Sequence, residues 1–178
     1  LDATRGMNNG ELLVDYYPQD NNGREEYVEE ATDNGTGALQ EVALLIPRST
    51  KAGAGQVDLT GFFGTGKYTI FEGVDRVEII TKNQDRAFGF TFTIQKDTSG
   101  NPVAIRLTGI RKIDDSTLAH GVTVRRIKLV ENTIPELDLM LAQRSWKTFA
   151  ALAQHDNFHI SFVDYEGKKQ PLVIERKV

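Results

Sequence analysis

The stretch Gly61-Phe62-Phe63-Gly64-Thr65-Gly66-Lys67-Tyr68-Thr69 comes within one position of the phosphate-binding loop G-x-x-x-x-G-K-[ST]. In that loop glycine amides cradle phosphate oxygens and the hydroxyl after the lysine holds magnesium. Here Tyr68 occupies the hydroxyl position and Thr69 follows one residue late. The loop also needs a helix next, whereas Tyr68, Ile70 and Glu72 alternate as in a strand, so the expectation is a glycine hairpin turn rather than a nucleotide site. Asp20-Asn21-Asn22-Gly23 with Glu29 follows part of a calcium loop, but its first ligand position is Pro18, which offers no carboxylate. His155 and His159 are four apart without the adjacent glutamate of H-E-x-x-H, and with His120 they read as surface or hydrogen-bonded residues. Asp164 and Glu175-Arg176-Lys177 have the spacing of a D…E-x-K nuclease metal site, and read instead as solvated hairpin charges. There is no G-x-S-x-G elbow, and the chain has no cysteine, which excludes disulfides and thiolate chemistry. The expectation is a protein with no metal, no cofactor and no catalytic group.

Charge is divided unevenly. Residues 1–46 carry ten acidic and two basic side chains, whereas residues 47–178 carry fifteen acidic and nineteen basic. An acidic segment of this kind predicts an arm lying on something positive, its own body or another copy. Glu25, Glu26, Glu29 and Glu30 fall in that segment, on what reads as one or two helical turns, before the turn formers Asp33-Asn34-Gly35-Thr36-Gly37. Arg106, Arg111, Lys112, Arg125, Arg126 and Lys128 fall on two strands expected to be neighbours and would form a basic face. The overall charge of −4 argues against sustained binding to nucleic acid.

The elements that must position these residues are mostly strands. Glu11–Tyr17 reads as one, stopped by Pro18 and the turn formers 20–23, and further strands are expected over 41–46, 57–63, 67–72, 76–81, 87–95, 103–113 and 122–131. Phe88, Phe90, Phe92 and Ile94 alternate with polar residues and glycine, placing one face in the core of a central strand. In 122–131 the apolar phase slips at Arg125-Arg126, which predicts a bulge or a passage between sheets. Thr133-Ile134-Pro135-Glu136 reads as a capping box opening a helix over about 134–155. On that helix Leu137, Met140, Leu141, Phe149 and Leu152 fall on one face and Leu139, Trp146, Ala150 and Ala153 on the other. Phe158–Val163 and Leu172–Ile174 read as a terminal hairpin.

The fold class expected is therefore mainly β, an antiparallel sandwich or barrel of about 8–10 strands with one helix and a terminal hairpin. Residues 1–40 would be an extended acidic arm and residues 41–178 a single β-rich domain. Gly64-Thr65-Gly66-Lys67-Tyr68 through Phe71-Glu72-Gly73-Val74 resembles the glycine-rich strand of dirigent proteins and allene oxide cyclase, and the resemblance implies a small eight-stranded barrel with an apolar lumen; it covers eleven residues and assigns no functional residue.

The function expected is a structural subunit of a larger particle of the virion, tail or pilus type. Glu25, Glu26, Glu29 and Glu30 of the arm, with Leu139 and Trp146 of the two-faced helix, would make contacts to other copies or other subunits. The alternatives are a secreted ligand-binding domain with a pocket lined by Phe62, Phe63, Phe88, Phe90 and Phe92, and a nucleic-acid-binding β domain. No apolar run is long enough to span a bilayer. The opening at Leu1 suggests a processed chain, particle-associated or extracellular.

Overall fold

The computed structural model describes residues 10–35, 37, 70–83, 86–114, 118, 120–132, 134–152, 158–163 and 168–171. In chain order they form β1 (Gly10–Asn21), β2 (Arg24–Asp33), β3 (Arg76–Asn83), β4 (Arg86–Lys96), β5 (Pro102–Lys112), β6 (Gly121–Leu129), α1 (Pro135–Leu152), β7 (Phe158–Val163) and β8 (Lys169–Pro171). The eight strands make one sheet in the order β5-β4-β3-β6-β2-β1-β7-β8. Every pairing is antiparallel except β1 with β7, which lies on the far side of the crossover through α1.

The protein is thus mainly β with one helix, as expected, and its terminal hairpin pairs β7 with Lys169–Pro171, whereas the expected strand Leu172–Ile174 lies outside the described residues. The described strands do not build a closed barrel or two facing sheets: β5 and β8 are edges. The long crossover explains this, because it returns the chain parallel to β1 and lays a helix on one face of the sheet. The barrel implied by the dirigent resemblance is not formed either. Residues 64–69 of that resemblance lie outside the described residues, as do the expected strands 41–46 and 57–63, and residues 70 and 71 form a 3-10 turn rather than a strand.

Residues 10–33 are not an extended arm. They form a hairpin that sits inside the sheet, β2 pairing with β6 and β1 with β7. The turn is the two-residue loop Asn22-Gly23, with φ of 57° and 81°, the left-handed pair that lets a tight hairpin follow the twist of its strands. β1 runs through Pro18 because the pairing with β7 ends at Asp15, so the missing proline N–H falls beyond that ladder.

Register assigns each residue to a face. The inner face carries Val14 and Tyr16 of β1, Ala31 of β2, Val122 and Val124 of β6, Val77 and Ile79 of β3, and the Phe88, Phe90, Phe92, Ile94 row of β4. Its core is Val74, Val77, Ile79, Phe90, Phe92 and Ile94 on one side, and Val14, Tyr16 and Phe162 under Leu139 and Trp146 of α1 on the other. β4 is an interior strand, one place from the edge rather than central. β6 has no bulge, for it pairs without interruption from Thr123 to Ile127 on both sides. Its apolar phase slips because Ile127 is buried on the outer face beside Val28, while Arg126 and Lys128 point inward.

Candidate functional site

Most of the predicted contact residues have partners inside the sheet. On the outer face Glu26 is 2% exposed, and its two oxygens accept from Arg76 Nη1 and Nη2, both at 2.8 Å. Gln19 Nε2 at 2.8 Å and Asn21 Nδ2 at 3.3 Å complete four donors on one carboxylate. Burial works to raise the Glu26 pKa, but these hydrogen bonds and the Arg76 charge outweigh it and hold the carboxyl below its ordinary value. Arg125 Nε donates to Glu30 at 2.6 Å, the Tyr17 hydroxyl donates to the same oxygen at 2.9 Å, and Arg125 also faces Glu78 at 3.7 Å. Burial first, and Glu30 second, push the Tyr17 phenol well above its usual range.

On the inner face Glu29 accepts from Arg126 at 2.6 Å and from Trp146 Nε1 at 2.7 Å. Lys128 donates to Asp138 of α1 at 2.9 Å. Trp146 and Leu139 are therefore the face by which α1 seats on its own sheet, not a surface offered to another copy. The opposite face is the open one: Leu137, Met140 and Leu141 are 43%, 56% and 47% exposed. Of the acidic set only Glu25 is exposed. Nor do the basic residues form one face. β3 and β4 separate β5 from β6; Arg106, Arg111 and Arg125 lie on the outer face, whereas Lys112, Arg126 and Lys128 lie on the inner one. Asp20 and Glu29 are not brought together, since Asp20 Oδ1 accepts from Gly23 N within the hairpin turn. His120 is exposed; His155, Asp164 and Glu175–Lys177 lie outside the described residues.

Between α1 and the inner face is a cavity of about 230 Å³, lined in part by Tyr16, Glu29, Arg126, Lys128, Asp138 and Ser145. Its charges are mostly joined to one another. Arg126 also donates to the carbonyls of Ile70 at 3.1 Å and Glu72 at 2.8 Å, which ties the turn before β3 to β6.

A different constellation lies at the other end of β2, about 13 Å from Glu29 at roughly 3.3 Å per residue. Asp33 closes the strand on the inner face. Its Oδ1 accepts from Gly35 N at 2.8 Å, an Asx-turn, and from Val122 N of β6 at 3.3 Å. Among the described residues nothing donates to Oδ2. Two glycines permit this arrangement. Gly121 has φ of 128°, and a Cβ there would stand 1.9 Å from the Asp33 carbonyl oxygen. Gly37, φ 74°, passes over the end of β6 to β3, where a Cβ would stand 2.2 Å from the Lys82 carbonyl oxygen. Half-buried Ala31, Val122 and Val124 lie beside Asp33 on the same face. The product is a carboxylate fixed through Oδ1 at the end of β2, on the face that carries Ala31, Val122 and Val124.

Sequence reasoning read Asp33–Gly37 only as a turn. The available signal was Asp-x-Gly-x-Gly directly after a strand, a pattern in which glycine marks a turn or a close backbone approach, as Gly37 makes to Lys82.

No protein-family model and no curated protein matches this sequence. Among solved structures the chain is similar to the ATP-binding domain of topoisomerase IV from Francisella tularensis, determined in complex with a small-molecule inhibitor, with a TM-score of 0.50 and 14% identity over 92% of this chain and 76% of that one. The likeness is one of fold. The chain is also similar to the N-terminal domain of a DNA repair protein, with a TM-score of 0.44 and 17% identity over 92% of this chain; it spans 46% of that chain's length.

Proposed function

We propose that this protein binds an adenine nucleotide, with Asp33 receiving the exocyclic amine of the base. The observation that carries the reading is the Asp33 carboxylate, held through Oδ1 by two backbone amides, with no donor to Oδ2 among the described residues and with half-buried Ala31, Val122 and Val124 on the same face. The fold it shares with an ATP-binding domain suggests the class of ligand. Chemistry then narrows the contact. A carboxylate repels phosphates, and the remaining donors of ATP are its amine and its ribose hydroxyls; the flat apolar surface of Ala31, Val122 and Val124 suits the base rather than the sugar. Gly64, Gly66 and Lys67 lie outside the described residues. In sequence they supply amides and a cation, what a triphosphate requires.

Two of the three features behind the expectation of a particle subunit, the acidic arm and the helix face, are met within the chain, since Glu26, Glu29 and Glu30 and the Leu139/Trp146 face have internal partners. The aromatic pocket loses Phe90 and Phe92, which are 2% and 4% exposed core. The test is calorimetric titration with ATP of the wild type and Asp33→Asn. Asparagine keeps the oxygen that accepts from Gly35 and Val122 and replaces the other with a donor, so the fold should persist while affinity falls about 10- to 100-fold. Equal affinity in the two proteins would overturn the proposal.

A further inference from the structure

β5 is an edge strand among the described residues. Ten of its eleven residues are exposed, and among the described residues no strand lies on its outer side. On the inner face Ile105 and Leu107 stand opposite Ile94 and Phe92, and Ile110 opposite Phe90, so the apolar row of β4 continues onto β5 and then meets water. These three side chains are 45%, 37% and 62% exposed, a long apolar edge of the kind that templates another strand.

The charge on this strand is of one sign. Between Asp97 and Asp114 the chain carries Arg106, Arg111 and Lys112 and no acidic residue. Lys112 pairs locally with Asp114 at 2.9 Å. Among the described residues Arg106 and Arg111 have no ion-pair partner, in contrast to Arg76, Arg125 and Arg126, each held by a glutamate. Arg106 lies opposite Thr93 and Arg111 opposite Gly89, so both are on the outer face and about 13 Å apart. Gly89 leaves room for the Arg111 side chain to lie across β4, where a Cβ would come within 3.0 Å of Nε.

We infer that the outer edge of β5, unpaired among the described residues, pairs with an extended, acidic strand of a partner protein. Apolar side chains of that strand would extend the Ile105, Leu107, Ile110 row, and acidic side chains four residues apart would meet Arg106 and Arg111 on the other face. A second copy of this chain is the wrong occupant. Two β5 edges brought together would concentrate six basic side chains on one ladder, and like charges across strands destabilise pairing. The inward Lys112 also discourages a neutral strand, while an acidic one turns the charge into attraction.

The probe is a fluorescently labelled peptide of alternating glutamate and valine, followed by anisotropy on the full chain. Binding is expected, weakened at least tenfold by Arg106→Glu with Arg111→Glu, and transferred in that variant to the peptide with lysine in place of glutamate. These side chains are exposed, so circular dichroism should match the wild type. Methylating alternate peptide amides on either edge removes the backbone donors of strand pairing and should abolish binding in one of the two series. No binding, equal binding by the charge-reversed protein, or full binding by both methylated series would overturn the inference, the last by reducing it to adhesion between charges.

Discussion

Replacing Glu26 by alanine should be among the most damaging single changes outside the apolar core. The carboxylate is 2% exposed and carries four donors, two of them from Arg76, whose side chain is 22% exposed. Its removal leaves the guanidinium beside Ile127 with, among the described residues, the 3.3 Å contact to Glu78. Breaking a buried pair from one side costs about 3–5 kcal/mol, and water can reach the partly exposed Arg76, so the lower end applies, about 3 kcal/mol. For a chain of this size 1 kcal/mol moves the thermal midpoint by about 2–4 °C, which gives a fall of about 6–12 °C by circular dichroism. Glu26→Leu combined with Arg76→Leu removes both charges and adds apolar volume, and should recover much of the loss. A fall under about 2 °C in the single variant, or a double variant no more stable than the single, would refute the reasoning. The pH dependence has a definite sign. Because the folded carboxyl is held below its ordinary value of 4.5, the contribution is fully present above that value and is lost as pH falls through the lowered one. The difference between wild type and Glu26→Ala should be flat from about pH 6 to 8 and shrink below about pH 4.

Three further changes separate the site from the scaffold. Gly121→Ala should lower the midpoint by at least about 4 °C and weaken ATP binding at least tenfold, because the left-handed strain costs about 1–3 kcal/mol and the Cβ meets the Asp33 backbone. Gly100→Ala, also left-handed at φ 82° but facing open space, should show only the strain and leave ATP binding unchanged in the same titration. Trp146→Phe keeps the ring against the sheet and removes the bond to Glu29, so urea unfolding should register a loss of about 1.5–3 kcal/mol with nucleotide affinity intact.

Much of the scaffold was legible because its signals are local. Alternation of Phe88, Phe90, Phe92 and Ile94 placed β4, the bounds of β3, β5 and β6 followed from similar runs, and the expected helix coincides with α1 to within three residues. β2 was not legible. Glutamates on both of its faces look like an exposed segment until their partners are known, and those partners are fifty residues away for Arg76 and ninety-seven for Arg126. Pairing across such distances leaves no periodicity in the sequence. The same holds for the slip at Arg125-Arg126, which reads as a bulge and is instead an inward-facing charge answered by Glu29. Asp33 was hidden for another reason: its role depends on Gly37 reaching Lys82 and Gly121 meeting Asp33, contacts that a turn-forming composition announces without saying what they hold.

The most direct test of the adenine site is to titrate the wild-type protein with ATP and with purine riboside triphosphate, which carries a hydrogen where adenine carries the amine. If Asp33 receives that amine, ATP should bind about 10- to 100-fold more tightly, since the purine without it has no donor to offer the carboxylate. Equal affinity for the two, or none for either, would contradict the account.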